Sequence, residues 1–262
     1  MVLIVSDSAL PPGQRPPRTA DPGRSGRRFD AVLFDFHGTL ALMEEPVAWV
    51  TAAARACGTR LDRAAATSLA DRLLVAGRAG DPTPARIPPH LAEAYADRDL
   101  DPGAHRTAFT GLAATVDSGI DGLPEALYER IVHPDGWVVA PDVVPTLAAL
   151  RAAGVPVAVV SNIGFDLRPI LRRAGVDDLV DYVTLSYEVG RTKPDPVIFL
   201  TACAALRTPP QRALMVGDTP ADAGAVRAGC HALVLPLVEP GRPTGLRSVL
   251  DLVGVSPNGA GG

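Results

Sequence analysis

The chain has 262 residues, 47% of them hydrophobic, and a formal net charge of −4, enough for one large core or a core carrying an insert. Slight acidity without a basic stripe argues against a nucleic-acid partner, and no apolar run reaches the roughly 18–20 residues of a membrane span. Three widely spaced cysteines (Cys57, Cys203, Cys230) and five histidines without HxxxH or HExxH spacing fit buried reduced thiols and no Cys- or His-built metal site; the expected compartment is the cytoplasm.

Residues 1–28, rich in Pro, Gly, Arg and Ser, read as a disordered leader or a mis-called start, so folding is expected to begin near Phe29. Ala31-Val32-Leu33-Phe34 is an apolar strand closed by Asp35, and Gly38-Thr39-Leu40 turns the chain after it. Alternate residues of extended backbone point the same way. Asp35 and His37 are therefore expected on one side, with Phe36 on the other.

Over residues 42–136, Ala, Leu and Arg recur at helical spacing, predicting helices over 46–57, 62–78, 89–97, 102–116 and 123–132 and no strand. Asp62, Asp101 and Asp121 stand at N-cap positions, while Asp81-Pro82-Thr83-Pro84 and Ile87-Pro88-Pro89 are breaks. From Pro141 the pattern changes. Helices are predicted over 143–153, 165–174, 196–206 and 220–228, and strands over 157–160, 182–185, 213–216 and 232–235. Short apolar strands alternating with helices predict an α/β fold. Its core is a doubly wound, Rossmann-like parallel sheet from residues 29–41 and 137–262, interrupted by a helical cap over 42–136. Sites in such sheets lie beyond the carboxyl ends of the strands, where Asp35, Ser161 and Asp218 all stand.

Lys193 is the only lysine; every other basic residue is arginine or histidine. Lysine is a compact point charge that the planar arginine fork does not imitate. Taken in order, Asp35-Phe36-His37-Gly38-Thr39, Ser161-Asn162, Lys193-Pro194-Asp195 and Gly217-Asp218-Thr219-Pro220-Ala221-Asp222 resemble the four signature motifs of the haloacid dehalogenase-like hydrolase superfamily, over residues 30 to about 236. The approach to the lysine, Leu185 to Pro194, is similar to that of its phosphatase and dehalogenase members.

The resemblance implies a Mg²⁺-dependent hydrolase, a phosphatase acting on a small phosphorylated molecule. Asp35 is then the nucleophile, passing through an aspartyl-phosphate that splits one hard step into two. Mg²⁺, a hard cation with a preference for oxygen, would be held by Asp35, the backbone carbonyl of His37, Asp218 and Asp222. Ser161, Asn162 and Lys193 would bind the phosphoryl group, and the turn at Gly164-Phe165 would lend a helix amino terminus. Cap arginines such as Arg55, Arg78 and Arg106 either meet an anionic substrate or form solvated faces. His90, His105, His133 and His231 read as surface or satisfied core histidines.

His37 departs from the pattern. Phosphatases of the superfamily usually carry a second aspartate there, dehalogenases tyrosine and phosphonate-cleaving members alanine. Histidine either fills both proton-transfer roles near neutral pH, to which it is suited, or only shapes the pocket of a slow or specialised enzyme; a main-chain ligand survives any side chain. Phosphonate cleavage by the family route needs a cap lysine, which this chain lacks. Two further readings stay open: a metal-independent 2-haloacid dehalogenase, and a non-catalytic descendant that binds phosphate ligands.

Overall fold

A computed structural model of the protein describes residues 26–80 and 83–255. Most of the expected leader, and the Asp81-Pro82 part of one expected break, lie outside the described residues. Arg27, assigned to the leader by composition, donates from its guanidinium to the carbonyl of Ala153 at 2.6 Å.

Among the described residues, the chain enters through β1 (Ala31–Phe34), turns into β2 (Ala41–Met43), and then runs through five helices before it returns to the sheet. These are α1 (Pro46–Ala56), α2 (Arg63–Ala76), α3 (Ala92–Asp97), α4 (Pro102–Ala114) and α5 (Leu123–Val132). The return is β3 (Trp137–Val139), antiparallel to β2 with Ala41 opposite Val139 and Met43 opposite Trp137. Alternation then sets in: α6 (Val143–Ala152), β4 (Val157–Ser161), α7 (Arg168–Arg173), β5 (Tyr182–Leu185), α8 (Ser186–Val189) and α9 (Pro196–Ala205). The last elements are β6 (Ala213–Gly217), α10 (Pro220–Ala223), β7 (His231–Val234) and α11 (Arg247–Val253).

The main sheet has the order β5-β4-β1-β6-β7, and all its pairings are parallel. Its two faces read directly from the period of two in each strand. Val32, Phe34, Val157, Val159, Leu214 and Val216 pack in a large cluster with α6 and α11. Ala31, Leu33, Ala158, Val160, Ala213 and Met215 pack on the other face against Ile198, Phe199 and Ala202 of α9. Burial on both faces is why β1, β4 and β6 are apolar almost without interruption. Cys203 and Cys230 lie in the second cluster with their sulfurs 3.7 Å apart, as free thiols. β1 has β4 on one side and β6 on the other, so successive crossovers leave it in opposite directions and open a crevice at its carboxyl end.

Several local expectations need correction. The ribbon of β2 and β3 was not foreseen, because three-residue strands are too short to show a period. Asp62 and Asp101 cap α2 and α4 through the N–H groups of Ala65 and Ala104. Asp121 does not cap α5; that place belongs to Gly122, in a left-handed conformation with φ 74°. The helix expected from Phe165 begins only at Arg168 and has six residues, so it offers no amino terminus at Gly164. The helix expected over 220–228 becomes 3-10 from Gly224 onward. α8 and α11 were not anticipated.

The ribbon ties the helical insert to the core. Arg130 of α5 forms a two-pronged pair with Glu44 at 2.7 and 2.8 Å and also reaches the Asp135 carbonyl at 2.7 Å. Trp49 of α1, buried in the insert, donates to the Leu127 carbonyl at 3.1 Å. On the core side, Asp142 fastens the carboxyl-terminal segment. Its Oδ1 accepts from the N–H of Thr244 at 3.1 Å, and its Oδ2 from those of Gly245 and Leu246 at 2.9 and 3.0 Å. Removing this buried acceptor strands several backbone donors. Asp142→Ala is therefore expected to lower unfolding free energy by about 2–4 kcal/mol, read by urea titration. A change below about 0.5 kcal/mol, the range of ordinary surface substitutions, would show that the clamp contributes nothing.

Candidate active site

Four chain segments meet at the carboxyl edge of the sheet. Asp35 follows β1, and its N–H donates to the carbonyl of Val216 at 2.8 Å, which holds it level with the end of β6. Phe36 points into the core, 1% exposed and 4.9 Å ring to ring from Trp137. His37 turns to the other side, its ring edge-on to Trp137 at 5.5 Å and in contact range of Gly80 from the insert. Asp35 and His37 line one cavity of about 400 Å³ together with Ser161, Asn162 and Lys193. The alternation expected from sequence is thus borne out.

Lys193 organises the floor of this cavity. Its Nζ donates to Asp35 Oδ1 at 2.5 Å and to Asp222 Oδ1 at 2.7 Å, and all three side chains are buried. Asp222 is itself fixed, because its Oδ2 accepts from both the N–H and the hydroxyl of Thr219 in a capping box at the start of α10. Asn162 holds the lysine's backbone: its Oδ1 accepts from the Lys193 N–H at 2.6 Å, and its Nδ2 donates to the Lys193 carbonyl at 3.0 Å. The side chain of Asn162 is therefore engaged in placing Lys193, a role the sequence did not disclose. Asp195 caps α9 through the N–H of Val197, which orients the segment from the other end.

Asp218 completes the group. Its carboxylate accepts from the hydroxyl of Thr39 at 3.4 Å, and Gly38, at φ +90°, leaves no room for a side chain: a Cβ there would sit 2.3 Å from Asp218 Oδ2. Asp35, Asp218 and Asp222 each present an oxygen, and these lie within 4.8 Å of one another. One ammonium faces this group. Burial, against the pull of Lys193 and with Asp222 and Asp218 adding to it, pushes the Asp35 carboxyl up to about 7. Burial and then Asp222 raise Asp218 as well. For Asp222, burial is outweighed by Lys193 and Thr219, and its carboxyl stays below the ordinary range. Burial likewise fails to lower Lys193, because Asp35 and Asp222 hold its proton. The cluster therefore carries more negative charge than it neutralises. Hard oxygen donors in surplus suit a divalent cation such as Mg²⁺.

The upper wall comes from the insert and its stem. Arg78, Tyr95, Arg98, Asp99, Phe109 and Trp137 contribute to it, with Phe165 from the core. Of the cap arginines weighed from sequence, Arg78 reaches the cavity while also donating to the Glu44 carbonyl at 2.9 Å. Arg106 pairs with Glu129 at 2.6 Å on an exposed face, and Arg55 is exposed. Arg98 and Asp99 were missed; an Arg-Asp pair in a helical stretch rich in both carries no signal. His105 is buried, bonded to the Tyr128 hydroxyl at 3.0 Å, and burial lowers it to about 4. That makes it a satisfied core histidine.

At the central strand end of a parallel sheet, one buried aspartate is thus bridged by a lysine to an acidic cluster. The chain belongs to the haloacid dehalogenase-like hydrolase family, whose model matches residues 29–229. It is 33% identical over 158 residues to a phosphoglycolate phosphatase of Nitrosospira multiformis, covering 58% of this chain and 69% of that one. Several other curated relatives are matched over about half their length or less; the human haloacid dehalogenase-like hydrolase domain-containing protein 3 is 36% identical over 38% of its length and 37% of this chain. Among solved structures, a HAD phosphatase from Thermococcus onnurineus superposes with a TM-score of 0.54 at 24% identity, covering 87% of this chain and 99% of that chain.

The electrostatics set a direction for stability. The folded pKa of Asp35 lies above its ordinary 3.8. The fold thus holds a proton that the unfolded chain releases, and this contribution is present at low pH and lost as pH rises from 3.8 through about 7. Asp35→Asn removes that loss, so in EDTA it is expected to melt higher than wild type at pH 8 and level with it near pH 4. Lys193→Met should do the reverse at pH 8, by about 3–5 kcal/mol, because it leaves buried carboxylates without their cation. Melting curves of both variants across this range check the signs.

Proposed function

We propose that the protein is a Mg²⁺-dependent phosphatase of small phosphomonoesters that works through an aspartyl-phosphate on Asp35. The observation that carries this reading is the trio of Asp35, Asp218 and Asp222 around one lysine, with oxygens within 4.8 Å. A haloacid substrate with a single negative charge has no need of a cation held by such a cluster, whereas a phosphate dianion approaching a carboxylate does. The phosphatase names of relatives from Nitrosospira multiformis and Methanopyrus kandleri support the same class.

Asp35, Asp218 and the main-chain carbonyl of His37 would hold Mg²⁺, which when bound offsets phosphate charge and polarises the phosphorus–oxygen bonds. Asp222 already gives one oxygen to Lys193 and the other to Thr219, so its part is to anchor the lysine and the acidic cluster from behind. The remaining work falls to side chains. Asp35 attacks phosphorus, forming the O–P bond as the substrate's alkoxide leaves. His37, on the same wall, gives that oxygen a proton and recovers one from the water that later hydrolyses the acyl-phosphate. Ser161, 2% exposed at the end of β4, donates to a phosphoryl oxygen. Lys193 balances the charge that builds on nucleophile and phosphate. The helical insert acts as a cap that limits water and admits the leaving group.

The direct test is a screen of phosphomonoesters and haloacids with Mg²⁺ and with EDTA. Phosphate release that needs Mg²⁺ is expected, lowered roughly a thousandfold or more by Asp35→Asn. Halide release indifferent to EDTA would point to a dehalogenase instead. For His37, Ala is expected to lower kcat by about a hundredfold with little change in KM, and Asp to restore most of it. Equal rates for Ala and wild type would remove His37 from the proton transfers.

A further inference from the structure

The turn between α3 and α4 places Arg98 and Asp99 in the wall of the cavity. Two contacts fix that turn to the core. The hydroxyl of Ser186, fully buried at the start of α8, donates to the Asp99 carbonyl and accepts from the N–H of Ile163 at 2.9 Å. Ile163 directly follows Ser161 and Asn162. Beside it, Gly164 approaches the Arg98 carbonyl so closely that a Cβ would lie 2.1 Å from the oxygen. The backbone of the turn is thus registered against the same loop that carries Ser161.

The Asp99 side chain has no part in that fastening. Asp101, not Asp99, caps α4, with the Ala104 N–H at 2.7 Å. The N–H groups of Leu100 and Asp101 both donate to the Asp97 carbonyl. The Asp99 carboxylate is paired with Arg98 Nη2 at 3.6 Å, longer than a hydrogen bond, and 26% of the side chain is exposed where it lines the cavity. Arg98 is held in turn by its donation to the Tyr95 carbonyl at 2.5 Å and by stacking on the Tyr95 ring at 4.1 Å. Around them the wall is aromatic, with Phe109, Trp137 and Phe165. An ionised carboxylate only accepts hydrogen bonds. In such a wall it rewards a substrate that brings a donor and penalises one that leaves it desolvated and unpaired.

We propose that Asp99 is the specificity-determining residue for the leaving group, and that the preferred substrates are phosphomonoesters whose alcohol carries a further hydrogen-bond donor, a hydroxyl or an ammonium. This rests on the phosphatase reading above. Arg98 serves as the positioning residue that keeps Asp99 facing the cavity.

The test compares three substrates: glycerol 3-phosphate, phosphoethanolamine and ethyl phosphate, the last without a second donor. Wild type should turn over at least one of the first two with kcat/KM about tenfold or more above ethyl phosphate, the advantage of a hydrogen bond to a charged group. Which of the two leads tells hydroxyl from ammonium. Asp99→Asn should reduce that preference by about tenfold, mainly through KM, with the melting temperature checked to confirm folding. A preference unchanged in Asp99→Asn, or no preference in wild type, overturns the assignment while leaving the phosphatase reading intact. Hydrolysis of none of the three, nor of any other phosphomonoester, defeats both.

Discussion

The short bridge from Asp35 through the Lys193 ammonium to Asp222 is the interaction on which the site depends. Carboxylates from the end of β1 and from α10, the helix after β6, are brought within reach of each other in a buried place, where their repulsion is undiluted by water. Lysine, compact and able to donate in several directions, fits between them where a planar guanidinium does not. The surroundings serve this placement. Asn162 grips the lysine's backbone on both sides, Thr219 pins Asp222, and Asp195 starts the helix that follows. One ammonium still leaves the cluster short of positive charge, and burial, with the charge of Asp222 adding to it, raises the carboxyls of Asp35 and Asp218.

The insert supplies what the sheet does not. A strand end offers a nucleophile and anchors, but only a shallow place for a substrate. The five helices between β2 and β3 bring Arg78, Tyr95, Arg98, Asp99 and Phe109 over it. The turn bearing Arg98 and Asp99 is tied through Ser186 to the loop after Ser161, so chemistry and selection share a frame. The stem on the other side is closed by Arg130 and Glu44.

Much of this can be read from residue order, for physical reasons that differ between elements. β1 and β5 match their expected limits because each is a four-residue run of apolar or strand-favouring residues bounded by polar ones. The gathering of Asp35, Ser161 and Asp218 at one edge was legible because each stands where an apolar strand ends, and Lys193 stood out as the sole lysine. The ribbon of β2 and β3 was not, since its pairing is between residues nearly a hundred positions apart and each strand is three residues long. The late start of α7 reflects its approach, in which residues 162–167 follow the site's contour and not a helix. Asn162 looked like a phosphate ligand by position, yet its amide is engaged by Lys193. Asp99 gave no local sign, because what sets it apart from the other acids of the insert is the cavity it lines.

The most direct measurement is chemical trapping of the intermediate. Rapid acid quench during turnover of a labelled phosphomonoester with Mg²⁺, followed by peptide mapping, should find the label as a hydroxylamine-sensitive acyl-phosphate on the peptide containing Asp35 and absent from Asp35→Asn. Label on another residue would contradict Asp35 as the nucleophile. So would steady turnover in the Asn variant with no acyl-phosphate at all.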